Sequence, residues 1–339
     1  MKLLFYLIVF LPSVLFSQLK IEGYVNDENG ESIVGCSVYV DGTTFVTTSN
    51  EFGFFSLQIP SKSNSILVFR NFGHKTEFIE LQKVSGLIKI TLKREIKELK
   101  EVVIEKNMFS RKQMMKLFKS QFLGDNKAGR NCTIENEDQI YFTYDKKNYK
   151  LNAYSDEPLI INNNYLGYKI TYELKDFQCK LSKLTVRVDF VISCQYGGYF
   201  IFQEITTSNK VNKRRQQSYE GSTLQFFRNL IDNKWDEENF ILYKRSFPSN
   251  PNEHFKVIPL DNNFYKVEII SKSDIVIKDR SITQFDILYN KKSQSKLMFY
   301  ISEFNVDSYG VYTNYDSIIL SGDISTKRVG DLLPTDFNK

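Results

Sequence analysis

The 339-residue chain reads as a mainly β protein: an N-terminal β-sandwich followed by a strand-dominated α+β domain. Three observations predict this. Short alternating segments, each closed by a turn cluster and with no helix between them, fill residues 18–95. Aromatic residues make up 14%, with 28 Phe and 20 Tyr, and such side chains suit a half-buried pleated surface. Only two later runs, 107–123 and 222–232, carry helical apolar spacing.

The elements follow in order. Lys2 precedes an almost wholly apolar run, 3–16, and Ser17 is a small residue before Gln18. A run of about 14 apolar residues is too short to cross a hydrocarbon core of about 30 Å. Residues 1–17 are therefore expected to be a cleaved signal peptide. No later stretch approaches 18 apolar residues, so no transmembrane span is expected after cleavage.

In the sandwich, 19–25 alternates and Asn29-Gly30 supplies the positive φ of a tight turn. A strand at 37–40 turns at Asp41-Gly42 into 45–48. A second turn at 49–53 leads into 54–59, and strands at 65–70, 76–81 and 87–92 follow. The charged stretch 93–106 is expected to carry few contacts, so that limited proteolysis there releases a stable sandwich. Residues 96–130 form a connector with an amphipathic helix, whose Met114, Leu117, Phe118 and Phe122 share one face.

The second domain spans 131–339. Its predicted strands are 140–144, 151–154, 169–174, 184–194, 199–205, 240–245, 264–270, 284–289 and 297–304. One helix, 222–232, starts at Ser222, which can accept a bond from a free amide, and has the apolar stripe Leu224, Phe227, Leu230 and Ile231.

Composition narrows function. The charge is +5 on 45 basic and 40 acidic residues, well interspersed. The one dense basic cluster, Lys210 to Arg215, reads as a solvated loop, so no nucleic-acid partner is expected. Cys36, Cys132, Cys179 and Cys194 form no C-x-x-C pair, and His74 and His254 lie far apart, so no metal site and no cofactor are expected. Cys179 and Cys194 are a candidate bridge, but a hairpin turning near Lys183 would place Cys179 opposite Val186, and free, mostly buried thiols are the favoured expectation. His74 is expected inside the sandwich and His254 in a surface loop.

Catalytic motifs are missing from the sequence. There is no H-E-x-x-H, no G-x-S-x-G and no G-x-x-x-x-G-K-[ST]. Ser293-Gln294-Ser295-Lys296 matches S-x-x-K but lacks a partner K-T-G and reads as a chance match. The polar set Asn162, Asn163, Asn164, Tyr168, Tyr219, Ser222 and Arg228 admits two readings. It could bind a glycan or peptide through hydrogen bonds and stacking. Alternatively, Asn162 to Asn164 form a turn, and Tyr219 and Arg228 fix the helix onto the sheet.

Several runs carry a family resemblance: Ile33-Val34-Gly35, Val38-Tyr39-Val40, Gly42-Thr43-Thr44, Phe52-Gly53-Phe54-Phe55-Ser56-Leu57, Phe72-Gly73-His74-Lys75-Thr76 and Leu99-Lys100-Glu101-Val102-Val103-Ile104. They resemble the carboxypeptidase regulatory-like domain, which implies a transthyretin-like sandwich of a type abundant in exported Bacteroidetes proteins. That family usually has a small residue at Cys36 and an aromatic at His74, so both read as structural. Pro158-Leu159-Ile160-Ile161-Asn162, Leu166-Gly167-Tyr168, Tyr219-Glu220-Gly221-Ser222 and Arg328-Val329-Gly330-Asp331-Leu332-Leu333-Pro334 are similar to an uncharacterised region found behind the same sandwich. The resemblance implies a periplasmic protein, or one peripheral to the outer membrane. The expected function is non-catalytic: binding or scaffolding toward an unknown envelope protein, glycan or peptide. The alternative is a glycan or peptide hydrolase with an unfamiliar Ser, Asp or Glu site in residues 131–339.

Overall fold

The structure is a computed structural model that describes residues 19–95, 108–271, 275–277 and 280–339. The expected signal peptide and most of the connector lie outside the described residues. Seven strands build the sandwich: β1 (Leu19–Asp27), β2 (Ser37–Val40), β3 (Val46–Thr48), β4 (Phe54–Ile59), β5 (Ile66–Arg70), β6 (Glu77–Glu80) and β7 (Ile88–Leu92). One sheet runs β4-β1-β7, the other β3-β2-β5-β6. Period-two alternation turns Ile21, Val25, Val38, Val40, Phe55, Leu57 and Phe69 into one core, where the Phe55 and Phe69 rings meet edge to face at 5.5 Å.

The second half begins with helix α1 (Arg111–Phe122), started by a reciprocal capping box between Ser110 and Gln113. A short helix α2 (Lys127–Arg130) follows, then β8 (Cys132–Ile134), β9 (Ile140–Asp145), β10 (Lys150–Ser155), β11 (Leu159–Asn163), β12 (Tyr168–Leu181) and β13 (Val191–Glu204). The sheet order is β8-β11-β12-β10-β9, with β13 paired to β12. The apolar face of α1 belongs to the core of this sheet: Phe118 packs on Phe122, Phe142 and Phe177. The helix expected in the connector is thus part of the second half's core.

Helices α3 (Asn209–Tyr219) and α4 (Thr223–Ile231) lead into a third core. It is formed by β14 (Phe240–Lys244), β15 (Phe247–Pro248), β16 (Phe255–Pro259), β17 (Phe264–Ile269), β18 (Ile275–Ile277), β19 (Arg280–Tyr289), β20 (Ser293–Phe299), β21 (Glu303–Asp307) and β22 (Ile318–Gly322). Residues 131–339, expected as one domain, are therefore divided between two cores. No helix among the described residues is long and apolar enough to cross a membrane.

Two local expectations are corrected. Lys210 to Arg215 lies on α3, not in a loop. Arg215 is 4% exposed and turns inward, donating to the carbonyls of Leu166 (2.8 Å) and Thr206 (3.0 Å) and pairing with Glu204. The segments 184–194 and 199–205, expected as two strands, give instead the single strand β13. The chain does not turn tightly at Lys183. It runs through a wide connection, 182–190, closed by a 3-10 turn at Val188–Phe190, which sets Cys179 opposite Cys194 rather than Val186.

The sandwich is docked on the second half through its β2–β3 turn. The edge strand β13 donates and accepts there: Gly42 N–H to Phe200 O (2.8 Å), Phe202 N–H to Thr43 O (2.9 Å), and Phe200 N–H to the Asp41 carboxylate (2.7 Å). From the other side Thr335 N–H reaches Gly42 O (2.8 Å), and Asp336 accepts from the Thr44 amide and hydroxyl. Gly42 has φ +73°, and a Cβ there would stand 3.5 Å from Thr335, so backbone conformation makes glycine the residue of choice. A second seam joins Asn64 N–H to Asp307 (2.6 Å) and Ser61 to the Tyr309 hydroxyl (3.2 Å). Most of the stretch 93–106 lies outside the described residues, and the bonds that join the sandwich to the second half here come from other segments.

Asp307 is fully buried and Asp41 half-buried. Burial pushes Asp41 up to about 7, against the opposing amide bonds of Phe200 and Gly42. Burial likewise pushes Asp307 up to about 6, against the amides of Asn64, Val311 and Tyr309 and the charge of Arg228. Their folded values lie above the unfolded 3.8, so their contribution to stability is full below pH 4 and is lost as pH rises through 6–7. In urea unfolding between pH 4 and 8, Asp41→Asn should flatten the decline, by on the order of 2–4 kcal/mol over that range. An unchanged slope would contradict the assignment.

Candidate binding cleft at the domain seam

Of the polar residues singled out in the sequence, Asn163, Tyr219 and Arg228 contact the segment 327–337. Asn163 is fully buried. Its Nδ2 donates to Gly330 O (2.8 Å), and its Oδ1 accepts from the amides of Tyr165 and Leu166 (3.1 and 3.0 Å). Asn162 donates to Glu135 (2.7 Å), and Asn164, exposed, donates its backbone amide to Asn131 O (3.2 Å). Tyr168 is buried beneath the Arg215 guanidinium, 4.0 Å from the ring centre, and burial pushes its hydroxyl up to about 12. Ser222 caps α4 by accepting from Gln225 N–H (3.1 Å).

Arg228 is 5% exposed and lies 5.4 Å over the Tyr219 ring. Its fork donates to Tyr309 O (3.0 Å), Phe337 O (2.9 Å) and Thr335 O (2.7 Å). Lys327 donates to Gln217 O and Ser218 O (3.3 and 2.7 Å) in the last turn of α3, where a cation offsets the helix dipole. Burial holds its amine below the ordinary lysine range. At Gly330 a Cβ would lie 2.5 Å from the Gly129 Cα, so the segment passes α2 at backbone contact distance. An apolar recess of about 210 Å³ remains beside Ser222, Tyr312 and Leu333. The singled-out residues do not converge on it as one set. Asn163 and Arg228 are engaged in holding the segment.

A polar opening lies at the seam itself. A polar cleft of about 630 Å³ has the 70–76 loop of the sandwich on one wall and the 155–158 turn with Glu173 to Lys175 on the other. Two cross-seam contacts form its floor: Arg70 to Glu157 at 3.2 Å, and the Thr76 hydroxyl to Glu173 at 2.9 Å. Lys175 pairs with Glu173 and lies 5.5 Å over Tyr199, which meets Phe78 at 5.7 Å. Phe72, 80% exposed, stands on the cleft wall. A second recess of about 460 Å³ shares Arg70, Pro158 and Glu173, so the two adjoin across the Arg70–Glu157 bridge. Acids outnumber cations in the cleft lining, with Glu95, Asp156, Glu157 and Glu173 against Arg70, Lys75 and Lys175, and the exposed Phe72 ring stands beside them.

The histidines are corrected as well. His74 is half-buried at this cleft, with Nδ1 3.2 Å from Phe72 O, and is not inside the sandwich core. His254 is not a loose loop residue. Its Nε2 lies 2.6 Å from Ser249 Oγ, its Nδ1 bonds Ser271 Oγ, and its ring meets Phe285 at 5.2 Å. Among the described residues no three His, Cys, Asp or Glu side chains gather as a ligand set.

Replacing Arg228 tests the assignment of its fork. Lysine supplies one ammonium where three buried carbonyls need donors, so Arg228→Lys should lower stability by about 2–4 kcal/mol in chemical unfolding. It should also expose 328–337 to protease. Unchanged stability would mean the guanidinium is free for a ligand.

Residues 21–104 match the family model of the CarboxypepD_reg-like domain. No curated protein matches the chain. Among solved structures, a chain of a type II cohesin–X-dockerin complex from Acetivibrio cellulolyticus is similar, at 16% identity and a TM-score of 0.18. The match covers 21% of this chain and 51% of that one, so the chain spans about half its length. A likeness of this size carries no argument about fold or partner. Over residues 21–104 the chain is thus similar to the CarboxypepD_reg-like domain, and the described part of that span is a β-sandwich.

Proposed function

We propose that this is a non-catalytic, exported binding protein of the cell envelope, holding a glycan or peptide segment in the groove at the domain seam. The observation that carries the reading is the groove: hydrogen-bonding groups of both signs beside an exposed aromatic, at a junction of two units, where ligand sites are frequent. The slight acidic excess disfavours an anionic ligand and suits one rich in hydroxyls or amides. The apolar run of residues 3–16 supports export. Binding to oligosaccharide and peptide panels should weaken about tenfold in Phe72→Ala, roughly 1.4 kcal/mol. Phe52→Ala, also exposed but on another turn, should bind as the parent does. Loss in both variants, or in neither, would count against the groove.

A second reading, a hydrolase, draws support from Ser249, His254 and Ser271. A hydroxyl within hydrogen-bond reach of a base that a third group orients is the pattern of an activated nucleophile. A serine in the third place lacks the charge with which a carboxylate stabilises the imidazolium, so binding is favoured. A fluorophosphonate probe decides: the binding reading expects no adduct, and an adduct on Ser249 that His254→Ala abolishes would establish the hydrolase.

A further inference from the structure

Cys179 and Cys194 are directly opposed in the β12–β13 ladder, flanked by Gln178–Gln195 and Lys180–Ser193. Opposed residues on antiparallel strands project to the same face. Their Cα atoms lie about 4.5 or 5.5 Å apart, depending on the type of pair, within the roughly 4.4–6.8 Å that a disulfide spans. Both are free thiols; Cys179 is buried and Cys194 partly exposed. The two sulfurs share a hydrogen bond that lowers the Cys179 thiol and pushes the Cys194 thiol up, so the Cys194 proton has the Cys179 sulfur as its acceptor. The positive charge of Arg328 favours thiolate at both. The other two cysteines offer a contrast. Cys36 and Cys132 sit in separate cores, each pushed up to about 12 by burial, with no cysteine opposite.

We infer that Cys179 and Cys194 are a disulfide-forming pair in the folded protein, closed by thiol–disulfide exchange with a small external disulfide. Cys194 is the sulfur an outside reagent reaches. As thiolate it attacks one sulfur of the reagent, forming a mixed disulfide and expelling one thiolate. Cys179, as thiolate, then attacks the Cys194 sulfur, closes the cross-strand bond and expels the second thiolate. The two protons lost by the cysteines go to the two expelled thiolates. Two electrons pass from the pair to the reagent, which leaves as two thiols. The bond would tie β12 to β13 six residues ahead of the Phe200–Phe202 stretch that grips the sandwich. The reaction belongs to the folded pair and stands apart from the ligand-binding reading.

The test uses the reduced full chain in a glutathione buffer with the oxidised form in excess, followed by alkylation and peptide mapping without reductant. The inference expects a linked pair of peptides carrying Cys179 and Cys194, a chain lighter by two hydrogens, and an upward shift of the thermal midpoint. Cys36 and Cys132 should be alkylated only after unfolding. Cys194→Ser should abolish the link and leave Cys179 unmodified. A persistent glutathione adduct on Cys194 would overturn the inference. So would two thiols that stay reduced in the folded chain while the unfolded chain oxidises.

Discussion

The structure depends on how one short turn is held. Asp41 to Thr44 lies between an unpaired strand edge and the segment 327–337, and backbone groups on both sides make the bonds. A free β edge presents a row of unmatched amides and carbonyls. On β13 part of that row is satisfied by the sandwich, so docking covers an edge that would otherwise be open. Gly42 permits the turn, Asp41 accepts the remaining Phe200 amide, and Thr335 and Asp336 close the other side. The groove exists because of this grip: its two walls come from units that only the docked turn brings together.

The segment 327–337 serves several partners at once. Gly330 passes α2 and meets Asn163; Lys327 closes α3; Thr335 and Phe337 take the Arg228 fork; Asp336 takes Thr44. Each contact satisfies a buried polar group that would cost about 1–3 kcal/mol if left unmatched. Of the runs that the sequence resemblance marks in the second half, Arg328 to Pro334 is part of this path and Tyr219 meets it at Phe337, while Asn162 bonds Glu135 away from it. Their chemistry is that of assembly.

Much of the sandwich was legible because its determinants are local. Period-two alternation and turns at Asn29-Gly30, Asp41-Gly42 and 49–53 place the strands to within a few residues. Helix α4 was legible for the same reason, through its Ser222 cap and apolar stripe. Helix α3 was not: its sequence NKVNKRRQQSY has almost no apolar stripe, and tertiary bonds from Arg215 anchor it instead. The β12–β13 register was missed because it depends on a wide connection, and a strand's register flips face with each residue of slip. The groove was invisible because residues 70–76, 155–158 and 173–175 meet only after docking.

The most direct test of this account is to cut the chain between residues 96 and 107 and ask whether the halves part. If the Gly42 turn is gripped as described, the sandwich and the second half co-elute in size-exclusion chromatography at neutral pH, and separate when Gly42→Val prevents the turn. Elution of the cut parent protein as two independent fragments would contradict it.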